Sequence, residues 1–281
     1  MLIELKNEEF EKYIDWAYEL ALDLTRSSYP TYTDGIKTKK DFIDTALKAF
    51  SSENNKILLF SYENQVLGWI HYYLIPEDKY IGLYSFNTEK KTKQALSEFE
   101  NYCRTNFKGY SVYLGFAAEN KEAINFFKEN KYELLEISNP TVFHFKNFSP
   151  LKCNDKIIKI TNDNYRLFQT LHEQIDCDMY WNTERIFKAL DKWNIYYYEN
   201  EACKGAIYFC GELPEVFGVD FENGIFENSI FIELMIKCLN VCYYNRAEHL
   251  YYFAEGCELD ILNKLGFQTL GKYSCYTLRL T

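Results

Sequence analysis

The chain has 281 residues, of which 47% are apolar and 18% aromatic, and a formal charge of −10. That length suits two modest domains or one large one, with enough apolar residues for a sizeable core. The acidic balance excludes a binder of nucleic-acid backbone, which needs clustered lysine and arginine, and is compatible with attraction of a cationic amine.

In chain order, "IELKNEEFEKYIDWAYELALDL" predicts a short strand and then a helix, its stripe formed by Phe10, Tyr13, Ile14, Ala17, Leu20, Ala21 and Leu24. "TKKDFIDTALKAF" predicts a second helix. "KILLFSYENQVLGWIHYYLIPEDKYIGLYSF" reads as three strands, with a polar turn at Glu63-Asn64 and glycines at Gly68 and Gly82. A long helix follows through Ala95, Leu96, Phe99, Tyr102 and Cys103, and "AENKEAINFFKENKYELLE" brings a short helix between strands. The last strand of this half is "TVFHFKNF".

The same order then begins again. "IIKITNDNYRLFQTLHEQI" and "NTERIFKALDKW" predict a strand and two helices. "NIYYYENEACKGAIYFCGELPEVFGVDF" predicts three strands with turns between them and glycines at Gly205 and Gly218. A long helix through Ile230, Leu234, Cys238 and Cys242 precedes "AEGCELDILNKLGFQTLG" and a final strand, "CYTLRL". Agreement of order, spacing and turn chemistry over the two halves identifies a tandem duplication. Its seam lies near "NFSPLKCNDK", giving domains 1–150 and 151–281. The expected class is α/β, each copy a mixed, mostly antiparallel sheet flanked by helices.

This order resembles the GNAT (Gcn5-related N-acetyltransferase) fold, present as a tandem pair over nearly the whole chain. The strongest local likeness is "AENKEAINFFKENKYE", where Asn120 and Ala123 match the family's Asn-x-x-Ala motif; Leu265-Gly266-Phe267 keeps the later Gly-Phe in the second copy. The resemblance implies an acyl-CoA site in a V-shaped gap between two parallel strands, where main-chain groups pair with the pantetheine arm. It also implies a pyrophosphate at the N-terminus of the helix after the fourth strand, where exposed N–H groups favour anions. The family's glycine-rich loop is absent at that place. Thr88, Glu89, Lys91 and Lys93 stand there in the first copy, and Gly224, Ile225, Glu227 and Ser229 in the second. The candidate cofactor contacts are Tyr84, Phe86, Lys90, Lys91, Lys93 and Asn120, with Gly224, Asn228 and Ser229 as the alternative in the second copy.

Acyl transfer to an amine needs a base for the ammonium and benefits from an acid for the leaving thiolate. The family's acid tyrosine is replaced by Phe127 and Leu262. The fourth-strand glutamate that serves many members as base has Lys79 at its place in the first copy and Glu215 in the second, with Asp220 further along. Glu215 and Asp220 are the candidate catalytic residues; five apart on a regular strand, they are expected on opposite faces. The resemblance thus implies an acetyl-CoA-dependent N-acetyltransferase for a small amine or peptide, without a metal. The alternative is a non-catalytic module of the same fold that binds coenzyme A or a protein.

Nine cysteines without a C-x-x-C pair read as free thiols of a reducing compartment. "MLIELKNEEFEKY" has no basic segment and apolar core of a signal peptide, and no apolar run has the length of a membrane span. A cytoplasmic location with no membrane or nucleic-acid partner is expected.

Overall fold

The computed structural model describes residues 1–33, 36–175, 179–201, 203–210 and 214–281. In the first part of the chain the elements are β1 (Leu2–Glu4), α1 (Phe10–Ala21), α2 (Lys39–Leu47), β2 (Asn55–Tyr62), β3 (Gln65–Ile75), β4 (Tyr80–Thr88), α3 (Thr92–Asn106), β5 (Ser111–Ala117), α4 (Lys121–Glu129) and β6 (Glu133–His144). The second part holds β7 (Ile158–Lys159), α5 (Arg166–His172), α6 (Thr183–Lys188), β8 (Trp193–Glu199), β9 (Lys204–Cys210), β10 (Glu215–Phe221), α7 (Asn228–Tyr244), β11 (His249–Ala254), α8 (Leu259–Leu265), β12 (Gln268–Thr269) and β13 (Tyr273–Arg279). The mixed α/β class and the repeated order agree with the sequence pattern. The turn expected between β9 and β10 falls at 211–213, outside the described residues.

Local chemistry accounts for several boundaries. Thr38 caps α2 in a capping box with Asp41, and Asn120 caps α4 by accepting from Ala123 N at 3.1 Å. Glu63 and Asn64, both with positive φ, form the tight turn between β2 and β3. Gly82 and Gly218 occupy matching places for one steric reason. A Cβ on Gly82 would lie 2.5 Å from the Tyr73 ring of the neighbouring strand, and one on Gly218 would meet Tyr208. Each glycine lets a cross-strand tyrosine lie flat on the sheet.

The chain divides into two compact units, one of Met1–Ser138 with Gly271–Thr281 and one of Asn139–Leu270. In the first, β1 to β4 pair antiparallel in succession, β4 pairs β5 in parallel, and β13 lies between β5 and residues 133–138 of β6. In the second, β7 to β10 pair antiparallel, β10 pairs β11 in parallel, and residues 139–144 of β6 lie between β11 and β12. The duplication in sequence and the units in space are therefore cut differently. The two corresponding strands, one from "TVFHFKNF" and one from "CYTLRL", each complete the sheet of the other copy.

Each unit has a core on both sheet faces. In the first, Phe86, Leu96, Phe99, Phe116 and Phe127 pack between the sheet and α3 and α4, while Ile14, Phe42 and Trp69 pack beneath α1 and α2. In the second, Phe231, Leu234 and Cys238 of α7 pack with Val216 and Phe221, and Phe168, Ile186 and Tyr208 form the other face. Among the described residues no helix is long and apolar enough to cross a membrane.

Candidate functional site

In both units the site expected from the fold lies where two parallel strands part. Pairing of β4 with β5 covers Tyr80↔Ser111 and Ile81↔Val112; pairing of β10 with β11 covers Glu215↔Tyr251 and Val216↔Tyr252. The other neighbour of each splayed strand is irregular. Tyr84 is an extra residue in β4 against β3, and Phe217 is an extra residue in β10 against β9. Such bulges take one residue out of the ladder and increase local twist, which helps β4 and β10 turn away from their parallel partners.

The bulge also changes the reading of the candidate bases. Side-chain alternation shifts by one across Phe217, so Glu215 and Asp220 lie on the same face, away from Val216, Val219 and Phe221 of the α7 core. The expectation of opposite faces assumed an unbroken strand. Their environments still differ. Glu215 is half-buried at the point of divergence, whereas Asp220 is 2% exposed and its Oδ2 lies 2.8 Å from His172 Nδ1. His172 Nε2 is 2.8 Å from the Trp181 carbonyl, so both ring nitrogens face acceptors and Asp220 helps fix the loop after α5.

By strand pairing, the first-unit counterpart of Glu215 is Tyr80 rather than Lys79. Tyr80 stacks on Tyr113 at 4.3 Å and hydrogen-bonds Tyr73; burial first, then Tyr73, pushes its hydroxyl pKa up. Phe127 and Leu262, at the position of the family's acid, are both fully buried in the core.

The candidate cofactor contacts of the first unit are spread over different environments. Phe86 is fully buried and Tyr84 half-buried, its ring tilted against His71 with centroids 4.6 Å apart. Lys90 is exposed, Lys91 Nζ lies 5.3 Å from the Tyr62 ring centre, and Lys93 pairs with Glu129 at 2.6 Å. Lys91 keeps a left-handed backbone (φ 64°) at a place where the family uses glycine. Thr92 N, at the start of α3, donates to Glu122 Oε2 at 3.1 Å. The gap itself holds main chain. Ser28 N donates to Phe86 O, Thr88 N to Arg26 O and Tyr29 N to Gly115 O, each at 2.9 Å. Phe86 N donates to Ser28 Oγ at 2.8 Å, and Ser28 bridges to Phe116. The first unit thus does not fit coenzyme A in the family's manner.

In the second unit, Gly224 is exposed with φ 65°, and Asn228 and Ser229 open α7, a helix of 17 residues. Glu227 Oε2 accepts from Ile230 N at 2.7 Å and from Ser229 Oγ at 2.6 Å; these two bonds, the hydroxyl's first, hold its pKa below the ordinary carboxylate value. Asn200 Nδ2 lies 3.4 Å from Ser229 Oγ. The Glu227 carboxylate thus takes one of the main-chain N–H groups at the start of α7, where a phosphate would be received. Residues 176–178, which follow α5, lie outside the described residues.

His71 was legible only as a polar strand residue. It is 2% exposed, donates from Nε2 to Asn55 Oδ1 at 3.1 Å, and burial, with a smaller contribution from Lys48, lowers its pKa to about 3. The unfolded chain takes up that proton near 6.5 and the folded chain does not, so stability falls as pH drops through this window. Between pH 6.5 and 4.5 the wild type is expected to lose about 2 kcal/mol more than His71→Gln, measured by urea unfolding.

No family model matches the chain, and no curated protein matches it. Solved structures do. A GCN5-related N-acetyltransferase from Sphaerobacter thermophilus aligns with a TM-score of 0.63 at 8% identity, over 100% of this chain and 95% of its own. A tandem GNAT protein from the clavulanic acid biosynthesis pathway aligns at 0.55 and 9%, over 100% and 98%. A functionally unknown conserved protein from Staphylococcus epidermidis aligns at 0.52 and 15%, over 79% and 95%. Together with the splayed strands and the repeated element order, these matches establish that the chain has the tandem GNAT fold, two units of that fold in one polypeptide.

Proposed function

We propose that the protein is an acetyl-CoA-dependent acyltransferase for an amine of a small molecule or peptide, with transfer in the second unit. The observation that supports this reading is the place of Glu215. It pairs with Tyr251 where β10 and β11 begin to part, beside the bulge at Phe217, and is half-buried. A carboxylate there takes the proton of the incoming ammonium, while the strand walls hold amine and thioester in register. The coenzyme, when bound, supplies the activated acyl group; the N-terminus of α7 and Ser229 hold its phosphates. Asp220 supports the wall through His172 and does not act on the amine.

A second reading, a non-catalytic module, is favoured by the Glu227 carboxylate on the α7 N-terminus. Both readings meet in one experiment, thermal unfolding with and without acetyl-CoA followed by thiol release with a panel of amines. Glu227→Ser is expected to tighten acetyl-CoA binding about 5-fold, since removing one like charge near a phosphate is worth about 1 kcal/mol in water. No ligand-dependent shift in wild type or variant would leave the non-catalytic module standing.

A further inference from the structure

We infer that the first unit is closed to the coenzyme by its own chain, the segment Arg26–Tyr29 serving as a permanent stand-in for the pantetheine arm. An acyl-CoA arm would be received in the GNAT gap as an added strand, by main-chain groups that the parting strands no longer offer each other. In this unit those groups are spent. Phe86 offers its carbonyl to Ser28 N and its N–H to Ser28 Oγ, Thr88 N is taken by Arg26 O, and across the gap Gly115 O is taken by Tyr29 N. The segment is integrated into the interior, with Ser27 and Ser28 only 1% and 2% exposed. The Asn120 amide, the best sequence match to the family in this unit, donates from Nδ2 to Ser27 O at 3.2 Å while its Oδ1 caps α4.

The phosphate end is closed separately. Glu122 reaches from α4 to accept from Thr92 N at the start of α3, so a carboxylate already occupies that helix end. Lys93, which an anionic ligand would draw on, is engaged by Glu129. Expelling the segment would strip several buried main-chain groups of their partners, which keeps the arrangement closed. The first unit is therefore a scaffold of the family's shape with its donor site filled in cis. This holds whether or not the second unit turns substrate over.

Hydrogen exchange read amide by amide tests it on the intact chain. Ser28, Tyr29, Phe86 and Thr88 are expected to exchange at least about 100-fold more slowly than an unstructured peptide without ligand. Acetyl-CoA in large excess is expected to leave those rates unchanged. Ser28→Ala, which removes only the acceptor of Phe86 N, is expected to speed exchange at Phe86 about 10-fold and leave Thr88 as it was. Rapid exchange at these amides in the ligand-free protein, protection that appears only with acetyl-CoA, or an unaltered Phe86 rate in Ser28→Ala overturns the inference. Absence of thiol release counts only against the proposed activity.

Discussion

Asp220→Ala is expected to destabilise the second unit by about 3–5 kcal/mol, the usual cost of removing one member of a buried pair. His172 is completely buried between Asp220 Oδ2 and the Trp181 carbonyl, stacked on Phe168 at 4.9 Å. Truncation leaves Nδ1 without this acceptor in a site that water does not reach, and loosens the tie between β10 and the segment around Trp181. Asp220→Asn keeps the volume and an oxygen that still accepts from Nδ1–H, so its cost is expected to be smaller. Urea unfolding followed by a probe of each unit reads the difference, because two compact units need not unfold in one transition. An Asp220→Ala protein with unchanged stability and lost turnover would return Asp220 to the role of base.

Glu215→Gln is expected to lower turnover with an amine about 100-fold near neutral pH, the usual contribution of a positioned base. The amide keeps the size and polarity of the carboxylate, so acetyl-CoA affinity is expected to stay within about 2-fold. The pH profile separates a base from a merely structural residue. As pH rises toward the amine's own pKa, more acceptor arrives deprotonated and the gap between wild type and variant should narrow. A gap constant with pH argues that Glu215 shapes the strand and leaves the proton to another group.

Much of the fold was legible in the sequence because its signals are local. The stripe through Ile14, Ala17 and Ala21 sits on one side of α1, and Glu63-Asn64 carries its own turn chemistry. Gly82 and Gly218 were visible as punctuation, although their purpose depends on tyrosines across the strand pair. Strand partnership was not legible. "TVFHFKNF" and "CYTLRL" have equivalent places in the repeat, and nothing in either string says which copy's sheet it will join.

The site was harder for the same reason. "TRSSYP" reads as a loop of small and polar residues, and only tertiary structure lays it between β4 and β5. The start of α3 looked like a phosphate site because the carboxylates that occupy it, Glu122 on Thr92 N and Glu129 on Lys93, lie on α4. Asp220 reads as a candidate base in the sequence, and only the fold sets it against His172. Equivalence by counting residues paired Lys79 with Glu215, whereas the hydrogen-bonded register pairs Tyr80 with it.

The placement of β13 has a consequence for biosynthesis. Residues 271–281 belong to the first unit but are translated after all of the second. At about 5–20 residues per second, the first unit waits on the order of ten seconds on the ribosome with β5 and β6 lacking the strand that lies between them. A nascent sheet exposed for so long invites pairing with other chains. Loss of residues 271–281 would damage the opening half of this protein before its closing half.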